Sequence, residues 1–171
     1  ALQRAENAGI ATAVIEHKQY PHREAFDDVM HQQLLDWDVD LVVLAGFMRI
    51  LSEKFVSAWE GKMINIHPSL LPHYKGMHTH QRVLNTGDQL HGCTVHYVTA
   101  ELDAGQALAQ GVLKVGSHDS VNSLAQRVHT LEHIIYPQVV EWICTQTIQH
   151  TDQGVLYRGT LMHEPIQFCK F

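Results

Sequence analysis

Short apolar runs alternate along the chain with stretches of helical spacing. The run I-A-T-A-V-I, Ile10 to Ile15, has the length of a strand, and from Arg23 to Trp37 the residues Phe26, Val29, Met30, Leu34 and Trp37 share one helical face. D-L-V-V-L-A-G-F, Asp40 to Phe47, is continuously apolar, as a strand buried on both faces would be. Ser52 is placed to cap the helix that follows, and Lys62 to Ile66 predicts the next strand. Gly92 to Val98 and Gln106 to Val115 predict an antiparallel hairpin whose long loop, Thr99 to Gly105, carries Asp103. Asp119 or Ser120 can cap a long helix in which Val121, Leu124, Val128, Leu131, Ile135 and Val139 keep helical spacing past Pro137, where a kink is expected. Gly154 to Met162 predicts two short strands around Gly159.

Strands alternating with helices imply an α/β fold: an open, mostly parallel, Rossmann-like sheet with right-handed crossovers, helices on both faces and a C-terminal antiparallel hairpin. Ligands bind such sheets beyond the carboxyl ends of the strands. Asn65, His67 and the loop through His80 fall there, as do Gly46 to Arg49. Ala1 to Gly9 reads as the end of a helix closed by glycine, so residues 1–171 are expected to form one domain whose first strands precede this sequence.

With 171 residues the chain is long enough for one substantial core. Its 12 Lys and Arg against 18 Asp and Glu provide no basic stripe, so no nucleic-acid partner is expected. No apolar run approaches the roughly 20 residues of a membrane span, and no signal-like segment opens the chain, which favours the cytoplasm. Cys93, Cys144 and Cys169 are odd in number and unpaired by motif, as free thiols in a reducing compartment would be.

Among 14 histidines, His78 with His80 and His91 with His96 are the pairs that could ligate a metal. None has a recognised ligand spacing, and no metal is expected. Cys93, in mid-strand, reads as a small buried hydrophobe rather than a nucleophile. Asn65 and His67 differ: two residues apart on one strand, their side chains leave the same face. An amide N–H and an imidazolium form a donor pair suited to a developing oxyanion, and a carboxylate from the Asp103 loop would favour the protonated imidazole. The bland alternative is that Asn65 ties down the Pro68 to Pro72 turn and Asp103 closes its own hairpin. The pattern alone leaves both open.

N-I-H-P-S-L-L-P (Asn65 to Pro72), Y-K-G-M-H-T-H (Tyr74 to His80), H-G-C-T-V-H-Y (His91 to Tyr97) and E-L-D-A-G (Glu101 to Gly105) resemble the folate-dependent formyltransferases. A-G-F-M-R-I-L (Ala45 to Leu51) and T-L-E-H-I-I-Y-P (Thr130 to Pro137) extend the resemblance along nearly the whole chain. Pro68 directly after His67, together with H-T-H, is similar to the branch that acts on glycinamide ribonucleotide.

The resemblance implies a transferase of purine synthesis in which the ribonucleotide amine attacks the formyl group of 10-formyltetrahydrofolate directly. Asn65 and His67 would hold the oxyanion, and Asp103 would support the protonated form of His67. It further implies folate contacts from Arg23, Met48, Arg49, Ile50, Leu51, Thr99, Ala100, Glu101 and Leu102, with Phe55 as an apolar wall. The ribonucleotide would meet Asn65, His129 and Glu132. Small molecules are the expected partners, with self-association through an exposed sheet edge. Family members begin with a strand and a glycine-rich phosphate loop that this sequence does not contain. Two alternatives therefore stand beside the transferase: a formyltetrahydrofolate hydrolase, and a folate-binding fragment without transfer activity.

Overall fold

Phe26 organises the first of two compact units, Ala1–Val39, in the computed structural model, which describes residues 1–170. Its ring meets those of His17 and Tyr20 at centroid distances of 6.3 and 5.9 Å. Helix α1, Leu2–Asn7, is followed by Gly9 at a φ of 69°. The strand expected from Ile10 to Ile15 does not form: the segment has no ladder partner among the described residues, and Ile10 and Val14 are 62% and 67% exposed. An apolar run becomes a strand only when its backbone groups find a neighbour. Helix α2, Arg23–Asp36, starts on His22, whose Nδ1 accepts from the Ala25 N–H at 3.2 Å. Of its predicted apolar face only Phe26 is fully buried.

The second unit begins at Asp40. In chain order it holds β1 (Val42–Leu44), α3 (Glu53–Ala58), β2 (Met63–His67), α4 (Thr79–Thr86), β3 (Leu90–Tyr97), β4 (Ala107–Lys114), α5 (Val121–Cys144), β5 (Ile148–Thr151), β6 (Gly154–Tyr157), β7 (Thr160–Leu161) and β8 (Ile166–Lys170). One mixed sheet has the order β1-β2-β3-β4-β8, with β1–β2 and β4–β8 parallel and the two central pairs antiparallel. A second, antiparallel sheet is β5-β6-β7. The strand expected over Asp40 to Phe47 contracts to three residues, and Val43 is 40% exposed because β1 is the sheet's outer strand rather than an interior one.

Ser52 caps α3 through the Phe55 N–H at 3.3 Å, and Ser120 caps α5 in a reciprocal box with Ser123. Helix α5 runs on through Pro137 and sets Leu124, Val128, Leu131, Ile135 and Val139 against Ile64, Cys93, Val95 and Leu108 of the sheet, in one core. Tyr136 reaches the strand backbone from the helix: its hydroxyl donates toward Leu44 O at 2.6 Å and Ile64 O at 3.2 Å, so its burial leaves no polar group orphaned. No helix among the described residues is long and apolar enough to cross a membrane.

Candidate active site

The strand period alone collects the first four polar side chains. Asn65 pairs opposite His96, and His67 opposite Thr94, across β2 and β3. Alternation therefore sets Asn65, His67, Thr94 and His96 on one face of the sheet, while Ile64, Cys93, Val95 and Tyr97 belong to the core.

Thr94 anchors the turn that follows His67. Its hydroxyl donates to Ser69 O at 2.7 Å and accepts from the Leu71 N–H at 3.0 Å. The Gln110 amide nitrogen donates to Leu71 O at 2.8 Å and to Thr94 Oγ1 at 3.1 Å, and Gln167 donates in turn to Gln110 at 2.9 Å. The Pro68 to Pro72 turn is thus held by Thr94 and Gln110. Asn65 has no such bond; its amide nitrogen lies 3.5 Å from His96 Nε2.

Asp103 likewise bonds away from its own hairpin. Its Oδ2 accepts from the Gly76 N–H at 2.9 Å and lies 3.5 Å from His67 Nδ1, while Oδ1 lies 3.9 Å from His96 Nε2. The loop after β3 therefore folds back over the face that carries Asn65 and His96. Lys75 and Glu101 pair across the two loops at 3.2 Å. Glycine is required where the Asp103 loop returns: a Cβ on Gly105 would stand 1.8 Å from Tyr97 O. Tyr74, His78 and Asp103 all adopt left-handed backbone, with φ of 57°, 58° and 48°. Each non-glycine residue in that region costs on the order of 1 kcal/mol, and such residues gather at functional sites.

His67 is 7% exposed and has partners on both ring nitrogens: Nε2 donates to Tyr74 O at 3.0 Å, and Nδ1 faces Asp103. A carbonyl and a carboxylate are both acceptors, so each ring nitrogen faces a group to which only an N–H can donate. His96, opposite Asn65, is buried, and that burial lowers its pKa against the opposing pull of the Tyr97 carbonyl and the Asp103 charge.

Glu132 approaches from α5. Burial raises its carboxyl above the usual range, opposed by the charges of His129, His133 and His67, and His129 Nε2 lies 3.7 Å away. His91 is more deeply sequestered, with its pKa pushed down to about 4 by burial, and its Nε2 lies 2.9 Å from His80 Nδ1. Among the described residues no group of three or more His, Cys, Asp or Glu is placed to hold a metal.

The remaining sequence candidates are spread more widely. Met48, Ile50 and Leu102 present exposed apolar side chains at 84%, 62% and 55%, with Arg49, Thr99, Ala100 and Glu101 exposed beside them in sequence and Leu51 half-buried. Phe55 is 4% exposed and lies in the interior behind Ser52. Arg23 belongs to the first unit, where it pairs with Glu24 at 3.3 Å. His96 and the Tyr74 carbonyl join the site without having been singled out for it. Pairing between distant strands brings the one, and a left-handed turn the other.

The formyl transferase family model matches residues 1–140. The phosphoribosylglycinamide formyltransferase of Escherichia coli K12 is 48% identical over 141 residues, which are 82% of this chain and 66% of that one. The human trifunctional purine biosynthetic protein adenosine-3 is 46% identical over 153 residues, 90% of this chain but 15% of the human protein. Among solved structures, the phosphoribosylglycinamide formyltransferase of Coxiella burnetii superposes with a TM-score of 0.91 at 43% identity, over 98% of this chain and 79% of that chain. The corresponding enzyme of Anaplasma phagocytophilum gives 0.86 at 38% identity, over 99% and 80%. The chain thus spans less than two thirds of the first curated relatives it matches.

Proposed function

The chain belongs to the formyl transferase family, and on that basis we propose that it transfers the formyl group of 10-formyltetrahydrofolate to the amine of glycinamide ribonucleotide in purine synthesis. Relatives named phosphoribosylglycinamide formyltransferase support the choice of substrates. The observation that carries the chemistry is the Asp103 carboxylate, drawn out of its own hairpin to face His67 beside Asn65. The family match runs through both units, which supports treating residues 1–171 as one formyltransferase domain.

In this reading the amine nitrogen attacks the formyl carbon, and the carbonyl oxygen becomes an oxyanion. Asn65 donates to it with an amide N–H, and His67 does so by releasing the Tyr74 carbonyl as the substrate enters. Donors aimed at charge that develops only in the transition state accelerate the step itself. The bond from the formyl carbon to the folate nitrogen then breaks, and a proton lost by the attacking amine is returned to that nitrogen through His67 and Asp103. The protein forms no bond to the formyl group, so no side-chain nucleophile is required. Cys93 fits no such role, because burial pushes its thiol up to about 12.

Met48, Ile50 and Leu102 offer the apolar surface that a flat pterin ring needs, and the segments Met48 to Leu51 and Thr99 to Leu102 supply backbone groups for its edge. Phe55, at 4% exposure, would back the folate side from the interior rather than line it. Asn65, His129 and Glu132 receive the ribonucleotide, with Glu132 accepting from the ribose hydroxyls. Both substrates are small molecules of the cytoplasm.

Separate titrations with a non-transferable 10-formylfolate analogue and with the ribonucleotide test these assignments. Glu132→Ala should weaken the ribonucleotide at least tenfold, about 1.4 kcal/mol, and leave the folate analogue unchanged. The reverse pattern would show that the two sites have been interchanged.

A further inference from the structure

We propose that His96 is a positioning residue for the transfer: it holds the Asn65 side chain so that the amide nitrogen, and not the amide oxygen, is presented to the oxyanion. This rests on the reading of Asn65 as an oxyanion donor.

The two residues are direct cross-strand partners, with Asn65 Nδ2 3.5 Å from His96 Nε2. The other ring nitrogen decides what Nε2 can do. His96 Nδ1 lies 2.9 Å from Tyr97 O, a carbonyl that can only accept, so Nδ1 carries a proton. His96 is 2% exposed, and burial favours its neutral form. A neutral ring with Nδ1–H leaves a lone pair on Nε2. That lone pair accepts an N–H, whereas a flipped amide would set two lone pairs against each other in a site almost closed to water.

Asp103 does not take this place. Its Oδ1 is 3.9 Å from His96 Nε2, beyond hydrogen-bond reach, and its Oδ2 is committed to the Gly76 N–H and to His67. The chain Tyr97 carbonyl, His96 ring, Asn65 amide therefore has one polarity. One amide hydrogen goes to His96, and the other is aimed at the substrate.

The first test is ring-nitrogen NMR on the protein carrying this sequence, with 15N-labelled histidine, at neutral pH. The expected result is a neutral His96 protonated at Nδ1; a proton on Nε2, in either the neutral or the charged ring, would overturn the proposal. The second test is kinetic. His96→Phe keeps the ring shape but removes the acceptor, and it should lower kcat roughly ten- to a hundredfold, with KM for both substrates within about threefold. His96→Gln, which restores an acceptor, should recover most of that loss. In an Asn65→Ala background His96→Phe should cost nothing more, because residues that act through one another are not additive. An equal loss in both backgrounds would show that His96 acts independently of Asn65, and the proposal would fail. Should Asn65→Ala alone leave turnover intact, the oxyanion reading falls, while the NMR result still decides the tautomer. If His96→Phe does not fold, the NMR result and His96→Gln carry the decision.

Discussion

His67 and Asp103 meet with Nδ1 and Oδ2 3.5 Å apart, and their side chains are 8% and 7% exposed. A contact so sheltered from water is not screened as one on the surface would be. His67 ends strand β2 whereas Asp103 lies on the loop after β3, so the contact exists only when that loop lies over the sheet face. His67→Ala and Asp103→Ala are each expected to lower kcat by about a hundredfold to a thousandfold, the usual cost of losing a transition-state donor, while folate affinity changes little. Steady-state kinetics beside analogue binding checks this. Turnover near that of the unaltered protein in either variant would remove that residue from the mechanism.

Gly105 should prove as sensitive as the residues that touch substrate. An added Cβ would meet Tyr97 O at 1.8 Å, so Gly105→Ala must displace either the strand backbone or the loop. Overpacking of this kind costs roughly 1–3 kcal/mol, and here it moves Asp103 as well. We expect a lowered Tm together with a lowered kcat. A variant with unchanged kcat would show that the carboxylate's position does not matter.

The sequence made legible what local chemistry decides. Ser52 and Ser120 cap where their residue types indicated, the α5 face packs as spaced, and the β3–β4 hairpin closes around Asp103. What it did not make legible is pairing. β8 finds β4 with Ile166 beside Ala109, and His96 finds Asn65, through contacts between segments far apart in the chain. Ile10 to Ile15 has strand composition but no strand, because composition does not supply a hydrogen-bonding neighbour. At the candidate site, motif and strand period are enough to nominate Asn65, His67 and Asp103. That Thr94 and Gln110, rather than Asn65, anchor the turn required the fold.

Acid should destabilise the protein in a defined window. The pKa of His91 falls from 6.5 to about 4 on folding because burial excludes its charged form; the charges of His80 and His67 act in the same direction, and Asp88 opposes them. A depressed pKa contributes stability that is fully present above about 6.5 and is lost as pH falls toward 4, on the order of 3 kcal/mol in all. Burial lowers His80 and His96 in the same sense. Thermal unfolding followed from pH 7 to 4 should show a falling Tm, with a shallower fall in His91→Gln. Identical slopes would mean that His91 is not the group that resists protonation.

Thiol chemistry should separate the cysteines. Cys93 is fully buried and its thiol is pushed up to about 12, whereas Cys144 and Cys169 are exposed. Alkylation of the folded protein at pH 8, read by mass spectrometry, should mark Cys144 and Cys169 and spare Cys93. Cys93→Ala should keep its kcat while losing about 1 kcal/mol of stability. Rapid labelling of Cys93 with loss of activity would reopen the nucleophile.

The most direct measurement follows the formyl group itself. The protein carrying this sequence is supplied with 10-formyltetrahydrofolate labelled in the formyl carbon, with and without glycinamide ribonucleotide, and the label is traced. Direct transfer predicts label in the ribonucleotide amide, formed only when the ribonucleotide is present, and none bound to protein. Label released as formate at the same rate without the ribonucleotide would identify a hydrolase instead, and label trapped on the protein would contradict direct attack.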